Sequence, residues 1–270
     1  MLPFYFLRDC AKLCNLAYLD KKCINENFCN RPFNCTEDNN VFYNCNEPVF
    51  IHSEDDCQLY TCNYNKSLVI WFRGTETLKD VLVDLNFFRT KLKLKNNEND
   101  VLIHQGFYNQ FESIFVPLNK TINDYILDYS NRDKQLIFVG HSLGGALATI
   151  GACYFSHVYP TLKVSCVSFG SPRVGNNHFV NAFNNSVTES YRFVNDNDPV
   201  PCLPSRLRYK HVKGCQWLYQ DTILNETKGM RLYRCIKNSF LSLFGFGYNA
   251  FNDHNCETYI NDLNDIIDKN

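Results

Sequence analysis

The sequence predicts an α/β fold, a mostly parallel central sheet with helices on both faces. Three observations carry this prediction. Residues 68–72, 135–140, 164–170 and 190–194 are short apolar runs of the kind that make strands buried on both faces. Stretches with apolar residues at helical spacing lie between or beside these runs. Strands alternating with helices favour parallel pairing through crossover connections. The chain has 270 residues, 45% of them hydrophobic, enough to bury a sizeable core.

Taken in order, residues 4–18 place Leu7, Ala11, Leu13, Cys14, Leu16 and Ala17 at helical spacing, a helix packed on the core. Residues 23–65 are rich in Cys, Asn, Asp and Pro. They read as loops with short strands near 41–43 and 48–52, then 57–63. Arg73 and Gly74 end the strand 68–72, and residues 78–85 read as a short amphipathic helix. Residues 91–100 are charged and Asn-rich, a solvated loop. A long amphipathic helix over 106–130 carries Phe107, Phe111, Ile114, Phe115, Leu118, Ile122, Tyr125 and Ile126, with its pattern broken near Pro117. The strand 135–140 leads into a helix over 143–158, with Gly144, Ala148 and Ala152 on one face. Residues 202–248 mix aromatic, Gly and basic residues without a clean period, and 254–268 close the chain as a helix. No repeat or linker interrupts it, so residues 1–270 read as one domain with a Cys-rich loop region at about 23–65.

A formal net charge of −1 argues against binding to a phosphate backbone, which needs a basic excess. No apolar run reaches the roughly 18 residues of a membrane span. Six of the 14 cysteines fall between Cys23 and Cys62, without a CxxC pair of the kind zinc ribbons and thioredoxin-like sites use. The apolar opening is stopped by Arg8 and Asp9 and lacks a basic leader, so it does not read as a signal peptide. The expectation is therefore an intracellular location, cytoplasmic or at a lipid surface, with reduced thiols serving as apolar filler. A disulfide-stapled 23–62 region would instead require an oxidising compartment or a virion. Five Asn-x-Ser/Thr sequons, at Asn34, Asn65, Asn119, Asn184 and Asn225, are what an Asn-rich chain produces by chance.

The strongest chemical signal is Gly140-His141-Ser142-Leu143-Gly144-Gly145, a G-x-S-x-G pattern between an apolar strand and a helix with small residues. A sharp turn there lifts Ser142 above the sheet, and the helix start aims free N–H groups at it. The bland alternative is a glycine-rich packing turn. A serine hydroxyl needs a base to take its proton and an acid to hold that base. The order in this topology is Ser, then Asp or Glu, then His. Asp198 and Asp196 both lie just past a strand end, and spacing does not separate them. Asp before Pro is also ordinary turn chemistry. Of the later histidines, His178 reads as a surface residue at a helix start. His211 sits in an apparent edge strand and His254 at the start of the terminal helix.

From about Ala11 to Tyr259 the chain resembles a class 3 lipase of the α/β-hydrolase fold, the group that includes fungal triacylglycerol lipases. The resemblance rests on Leu13-Cys14-Asn15-Leu16-Ala17-Tyr18, Trp71-Phe72-Arg73-Gly74-Thr75, His104-Gln105-Gly106-Phe107 and Val139-Gly140-His141-Ser142-Leu143-Gly144-Gly145-Ala146-Leu147-Ala148. It continues in Phe169-Gly170-Ser171-Pro172-Arg173-Val174-Gly175 and in Asn195-Asp196-Asn197-Asp198-Pro199-Val200-Pro201-Cys202-Leu203-Pro204. It implies Ser142 as nucleophile, Asp198 as acid and His254 as base, with His211 the competing base. It implies an oxyanion hole made by the N–H groups of Thr75 and Leu143. Thr75 also suits a helix cap, and Arg73 is assigned a structural part.

The resemblance further implies a short helical lid from Thr77 to Phe88, laying Leu78, Val81, Leu82, Leu85 and Phe87 on a lipid surface. Packing of those residues on the core is the commoner fate of such a helix. Residues 23–62 and the aromatic stretch 240–251 have no match in the family. The expected activity is hydrolysis of glycerolipid carboxylic esters, neutral or phospholipid, through an acyl-enzyme. It needs no metal, organic cofactor or nucleic acid. The competing expectations are an inert hydrolase-fold protein that binds lipid or a partner, and the same machinery turned to a thioester or amide.

Overall fold

In the computed structural model, strand alternation sorts the apolar residues onto two faces of one sheet. Residues 1–19, 48–53, 57–74, 88–128, 133–196, 198–219, 222–225 and 252–269 are described. The strands are β1 (Val49–His52), β2 (Gln58–Tyr64), β3 (Ser67–Phe72), β4 (Arg89–Lys91), β5 (Leu102–His104), β6 (Gln135–His141), β7 (Lys163–Phe169), β8 (Glu189–Asn195), β9 (Cys215–Tyr219) and β10 (Thr222–Asn225). Eight of them form one sheet in the order β1-β2-β3-β6-β7-β8-β9-β10, and β4 and β5 pair separately. Neighbours from β3 through β9 run parallel, while β1, β2 and β10 are antiparallel margins. This is the α/β-hydrolase fold, with the mostly parallel sheet the sequence predicts.

The helices are α1 (Phe4–Leu16), α2 (Gln105–Leu127), α3 (Leu143–Val158), α4 (Asn177–Ser186) and α5 (Cys256–Asp268). Ile70, Phe72, Leu136 and Phe138 join the core of α2, α3 and α4. Their neighbours Val69, Trp71, Ile137 and Val139 join the core of α1 and α5 on the other face. Two-residue periodicity in the strands thus meets helical periodicity on both sides. Cys10, Cys14 and Cys256 fill the α1–α5 layer as buried free thiols, and burial raises each well above the ordinary thiol range. Cys166 is pushed up to about 12 for the same reason, so these sulfurs are packing atoms rather than nucleophiles.

Several expectations change. Residues 91–100 are not wholly solvated: Leu92 and Leu94 turn into the core between exposed lysines. The long helix α2 runs through Pro117 instead of breaking there. The stretch without a clean period contributes β9 and β10. No strand forms at His211; next to it, Lys210 makes only an isolated bridge to Gly175. The expected strand at 41–43, the helix at 78–85 and the aromatic stretch 240–251 lie outside the described residues.

Register places the site. His141 lies opposite Phe169, and Phe169 opposite Phe193. The turns after β6, β7 and β8 therefore leave the same edge of the sheet. That edge carries Ser142, Gly170 and the segment ending in Asp198, and carboxyl ends of parallel strands are where such folds gather ligand-facing groups.

Candidate active site

Ser142 joins β6 to α3 with φ 58° and ψ −125°, a left-handed conformation unusual for a residue with a Cβ. Strain of this type costs on the order of 1–3 kcal/mol and persists where the surroundings over-determine it. Here the Ser142 N–H donates to the Phe169 carbonyl at 2.9 Å, and its own carbonyl accepts from the Ala146 N–H at 3.2 Å. The turn closes only because Gly140 and Gly144 meet backbone to backbone: a Cβ on Gly140 would lie 2.1 Å from the Gly144 oxygen. Ser142 Oγ is buried and has no hydrogen-bond partner among the described residues. The opening N–H groups of α3, beginning with Leu143, have no intrahelical acceptor and face the same turn.

Asp198 is 0% exposed. Its Oδ2 accepts from His254 Nδ1 at 2.8 Å and from the Tyr259 hydroxyl at 2.6 Å, while Oδ1 accepts from the Val200 N–H at 2.9 Å. The bond to Asp198 puts the ring proton on Nδ1 and leaves His254 Nε2 as the bare acceptor. That Nε2 is buried and has no partner among the described residues. The site thus presents an unpaired hydroxyl and an unpaired imidazole nitrogen on one edge of the sheet. His254 lies in the turn before α5, which Asn255 caps by accepting from the Glu257 N–H at 3.0 Å.

A second layer holds this pair, and sequence reasoning assigned it no role. His141 Nε2 donates to the His254 carbonyl at 2.7 Å, and the Tyr18 hydroxyl donates to His141 Nδ1 at 2.8 Å. Burial pushes the His141 imidazole well below its ordinary pKa, and the neighbouring His254 ring adds to the shift. His141 is therefore neutral, with one nitrogen donating and the other accepting. Tyr259 also accepts from the Asn195 N–H at 3.0 Å, and Asn195 Nδ2 donates to Asp262 at 2.7 Å. The available signal was position: Tyr18 ends the first family segment, His141 precedes the serine, and Tyr259 follows His254 by five residues.

The remaining candidates fall elsewhere. Asp196 is only partly buried, whereas Asp198 is fully buried against His254. His211 Nε2 bonds the Pro201 carbonyl at 2.6 Å, so the structure does not bring it to Ser142 as a free base. His178 is exposed near the start of α4. Arg73 donates to Gln58 at 2.8 Å, a structural contact. Thr75 and residues 77–87 of the expected lid lie outside the described residues; Phe88 lies within them. Among the described residues, no group of three or more His, Cys, Asp or Glu side chains gathers as metal ligands. No helix among them is long and apolar enough to cross a membrane.

Comparison with known proteins bears on the fold and the family. The family model for Lipase (class 3) matches residues 69–207. The chain is 29% identical over 159 residues to secreted mono- and diacylglycerol lipase 1 of Fusarium solani, covering 58% of this chain and 46% of that protein. It is 31% identical over 159 residues to secreted mono- and diacylglycerol lipase A of Penicillium cyclopium, covering 57% and 48% respectively. The chain thus spans about half the length of the curated relatives it matches. In fold it is similar to a triacylglycerol lipase from Penicillium expansum, with a TM-score of 0.67 at 20% identity over 87% of this chain and 88% of that one. The lipase–propeptide complex of Rhizomucor miehei gives a TM-score of 0.66 at 20% identity over 83% and 70%.

The expected intracellular location is overturned, because the Fusarium and Penicillium relatives are named as secreted lipases. That expectation leaned on the opening residues. They build the core-packed helix α1, so their apolar pattern reports packing rather than destination. With a family model covering more than half of the chain, a serine on a strained strand-to-helix turn and a buried Asp–His pair beside it, this chain belongs to the class 3 lipase family.

Proposed function

We propose that this protein hydrolyses carboxylic esters of glycerolipids through a covalent acyl-serine. The observation that carries the reading is the pair of buried, unpartnered atoms, Ser142 Oγ and His254 Nε2, with the far side of the imidazole tied to Asp198. Ser142 Oγ attacks the ester carbonyl carbon as its proton passes to His254 Nε2. Asp198 keeps the imidazole in the reactive tautomer and stabilises its charged form. The tetrahedral oxyanion is held by the Leu143 N–H, with Thr75 as the second donor on the strength of the family resemblance. Collapse expels the alcohol, which takes the proton from Nε2. Water, deprotonated by the same nitrogen, then releases the fatty acid and frees the serine.

The glycerolipid assignment is supported by relatives named as mono- and diacylglycerol lipases and by one named as a phospholipase A(1) from Arabidopsis thaliana. The lid between Thr77 and Phe88 belongs to the same reading. The test uses a short p-nitrophenyl ester, which needs no lipid surface, together with a fluorophosphonate probe that reacts only with an activated serine. The native protein is expected to turn over the ester and take the label; Ser142→Ala is expected to do neither. Absence of both signals in the folded native protein would overturn the proposal in favour of an inert lipid- or partner-binding hydrolase fold.

A further inference from the structure

Between Pro199 and Gln220 the sequence carries Arg206, Arg208, Lys210 and Lys213 without a single carboxylate, in a chain whose formal net charge is −1. This cationic stretch follows directly on Asp198, and the proposed hydrolysis does not use it. The structure shows how part of it is presented. Residues 205–208 form an exposed turn, with Leu207 86% exposed at its tip. Phe88, 67% exposed, lies beside it.

Hydrogen bonds tie the backbone beside both tips to neighbouring segments. The Tyr209 hydroxyl donates to the Phe88 carbonyl at 3.3 Å, and the Gln105 N–H donates to the same carbonyl at 3.0 Å. Arg89 donates to the Arg208 carbonyl at 3.4 Å, and the buried Arg173 guanidinium donates to the Pro204 carbonyl at 2.6 Å. The Lys210 N–H donates to the Gly175 carbonyl at 2.8 Å. None of Arg89, Arg206 and Arg208 meets a carboxylate among the described residues. The nearby acid Asp100 pairs with Lys91, at the opposite end of the β4–β5 pair from Arg89.

Two large apolar side chains exposed beside three guanidinium groups without carboxylate partners suit one kind of surface. Apolar tips enter the boundary between headgroups and acyl chains, while long basic side chains reach anionic headgroups. A nucleic acid would satisfy the cations but leave Leu207 without a partner. The cationic stretch follows directly on the Asp198 turn, which leaves the same edge of the sheet as the Ser142 turn.

We propose that Phe88, Arg89, Arg206, Leu207 and Arg208 form a docking face for an anionic lipid surface, holding the active-site edge against it. The inference rests on the ester-hydrolase reading only in placing substrate there; docking itself is independent of chemistry. The test therefore measures the two separately. Ser142→Ala protein, unable to degrade the lipid, is sedimented with vesicles of phosphatidylcholine alone and of equimolar phosphatidylcholine and phosphatidylglycerol.

Preferential binding to the phosphatidylglycerol vesicles, falling as salt rises, is expected. Each cation near such a surface contributes about fivefold to partitioning, so Arg206→Gln with Arg208→Gln should weaken binding about 25-fold. Leu207→Ser should weaken it further. The same Arg substitutions in active protein should leave hydrolysis of the soluble ester unchanged, since neither side chain touches the Ser142 site. Equal binding to both vesicle types, or a double variant that binds as well as its parent, would overturn the docking face. Normal vesicle binding by a native protein that takes no fluorophosphonate label would sink the hydrolase reading and leave the docking face standing.

Discussion

Gly170→Ala is the sharpest single test of the site geometry. Gly170 follows β7 with φ +58°, and a Cβ there would lie 2.7 Å from Asp198 Oδ2 and 2.9 Å from both Cε1 and Nδ1 of His254. Ordinary contacts of this kind begin near 3.4 Å, so one methyl group must push the Asp–His pair away by about 0.5–0.7 Å. The left-handed backbone adds roughly 1–2 kcal/mol for any residue with a Cβ. The pair cannot retreat freely, because Tyr259, Val200 and His141 hold it from behind. Misplacement of a reacting group by about 1 Å costs on the order of 100-fold in rate. We therefore expect kcat/KM on a soluble p-nitrophenyl ester to fall by one to two orders of magnitude. The melting transition should drop by only a few degrees, as a loss of about 1–2 kcal/mol implies for a chain of this size. Fluorophosphonate labelling should slow in parallel. Unchanged kcat/KM in folded Gly170→Ala protein would refute the placement of His254 and Asp198 against β7.

Other expectations follow from the same contacts. His254→Ala should be as inactive as Ser142→Ala, whereas His211→Ala, which loses a bond to the Pro201 carbonyl, should keep most of its activity on the soluble ester; the reverse pattern would move the base to His211. Tyr259→Phe leaves the buried Asn195 N–H without its acceptor and should lower stability by about 1–3 kcal/mol, read by thermal or denaturant unfolding. His141 stays neutral in the folded protein but protonates in the unfolded chain below about pH 6.5, so its share of stability is complete above that pH and shrinks by about 1.4 kcal/mol per unit as the pH falls below it. Chemical denaturation across pH 5 to 7 should show that slope, and His141→Gln should lack it.

Much of this architecture is legible in the sequence because the strands of the central sheet are buried on both faces. Runs such as Leu68–Phe72 admit few other structures, and Gly140 and Gly144 name the turn that follows β6. Residues 91–100 misled because charge is read along the chain while burial is decided by alternation. Lys91, Lys93 and Lys95 face water, and Leu92 and Leu94 between them face the core. The β9–β10 pair was hidden because a marginal antiparallel ribbon needs less continuous apolar patterning than a central strand. Asp196 and Asp198 could not be told apart by spacing. Three dimensions separate them through burial and through the hydroxyl of Tyr259, which is 61 residues away from Asp198 in sequence.

The supporting layer was illegible for a deeper reason. Tyr18, His141 and His254 meet across sequence separations of 123 and 113 residues, and each is an ordinary polar residue until the others arrive. A neutral buried imidazole must donate through one nitrogen and accept through the other, or desolvation goes unpaid. His141 satisfies this only where α1 from one end of the chain and the turn before α5 from the other converge behind β6. Those helices also pack against each other through Cys10, Cys14 and Cys256, so the layer that closes the core is the layer that positions the His254 backbone. Loosening α1 should therefore reach the reacting edge of the sheet through Tyr18 and His141.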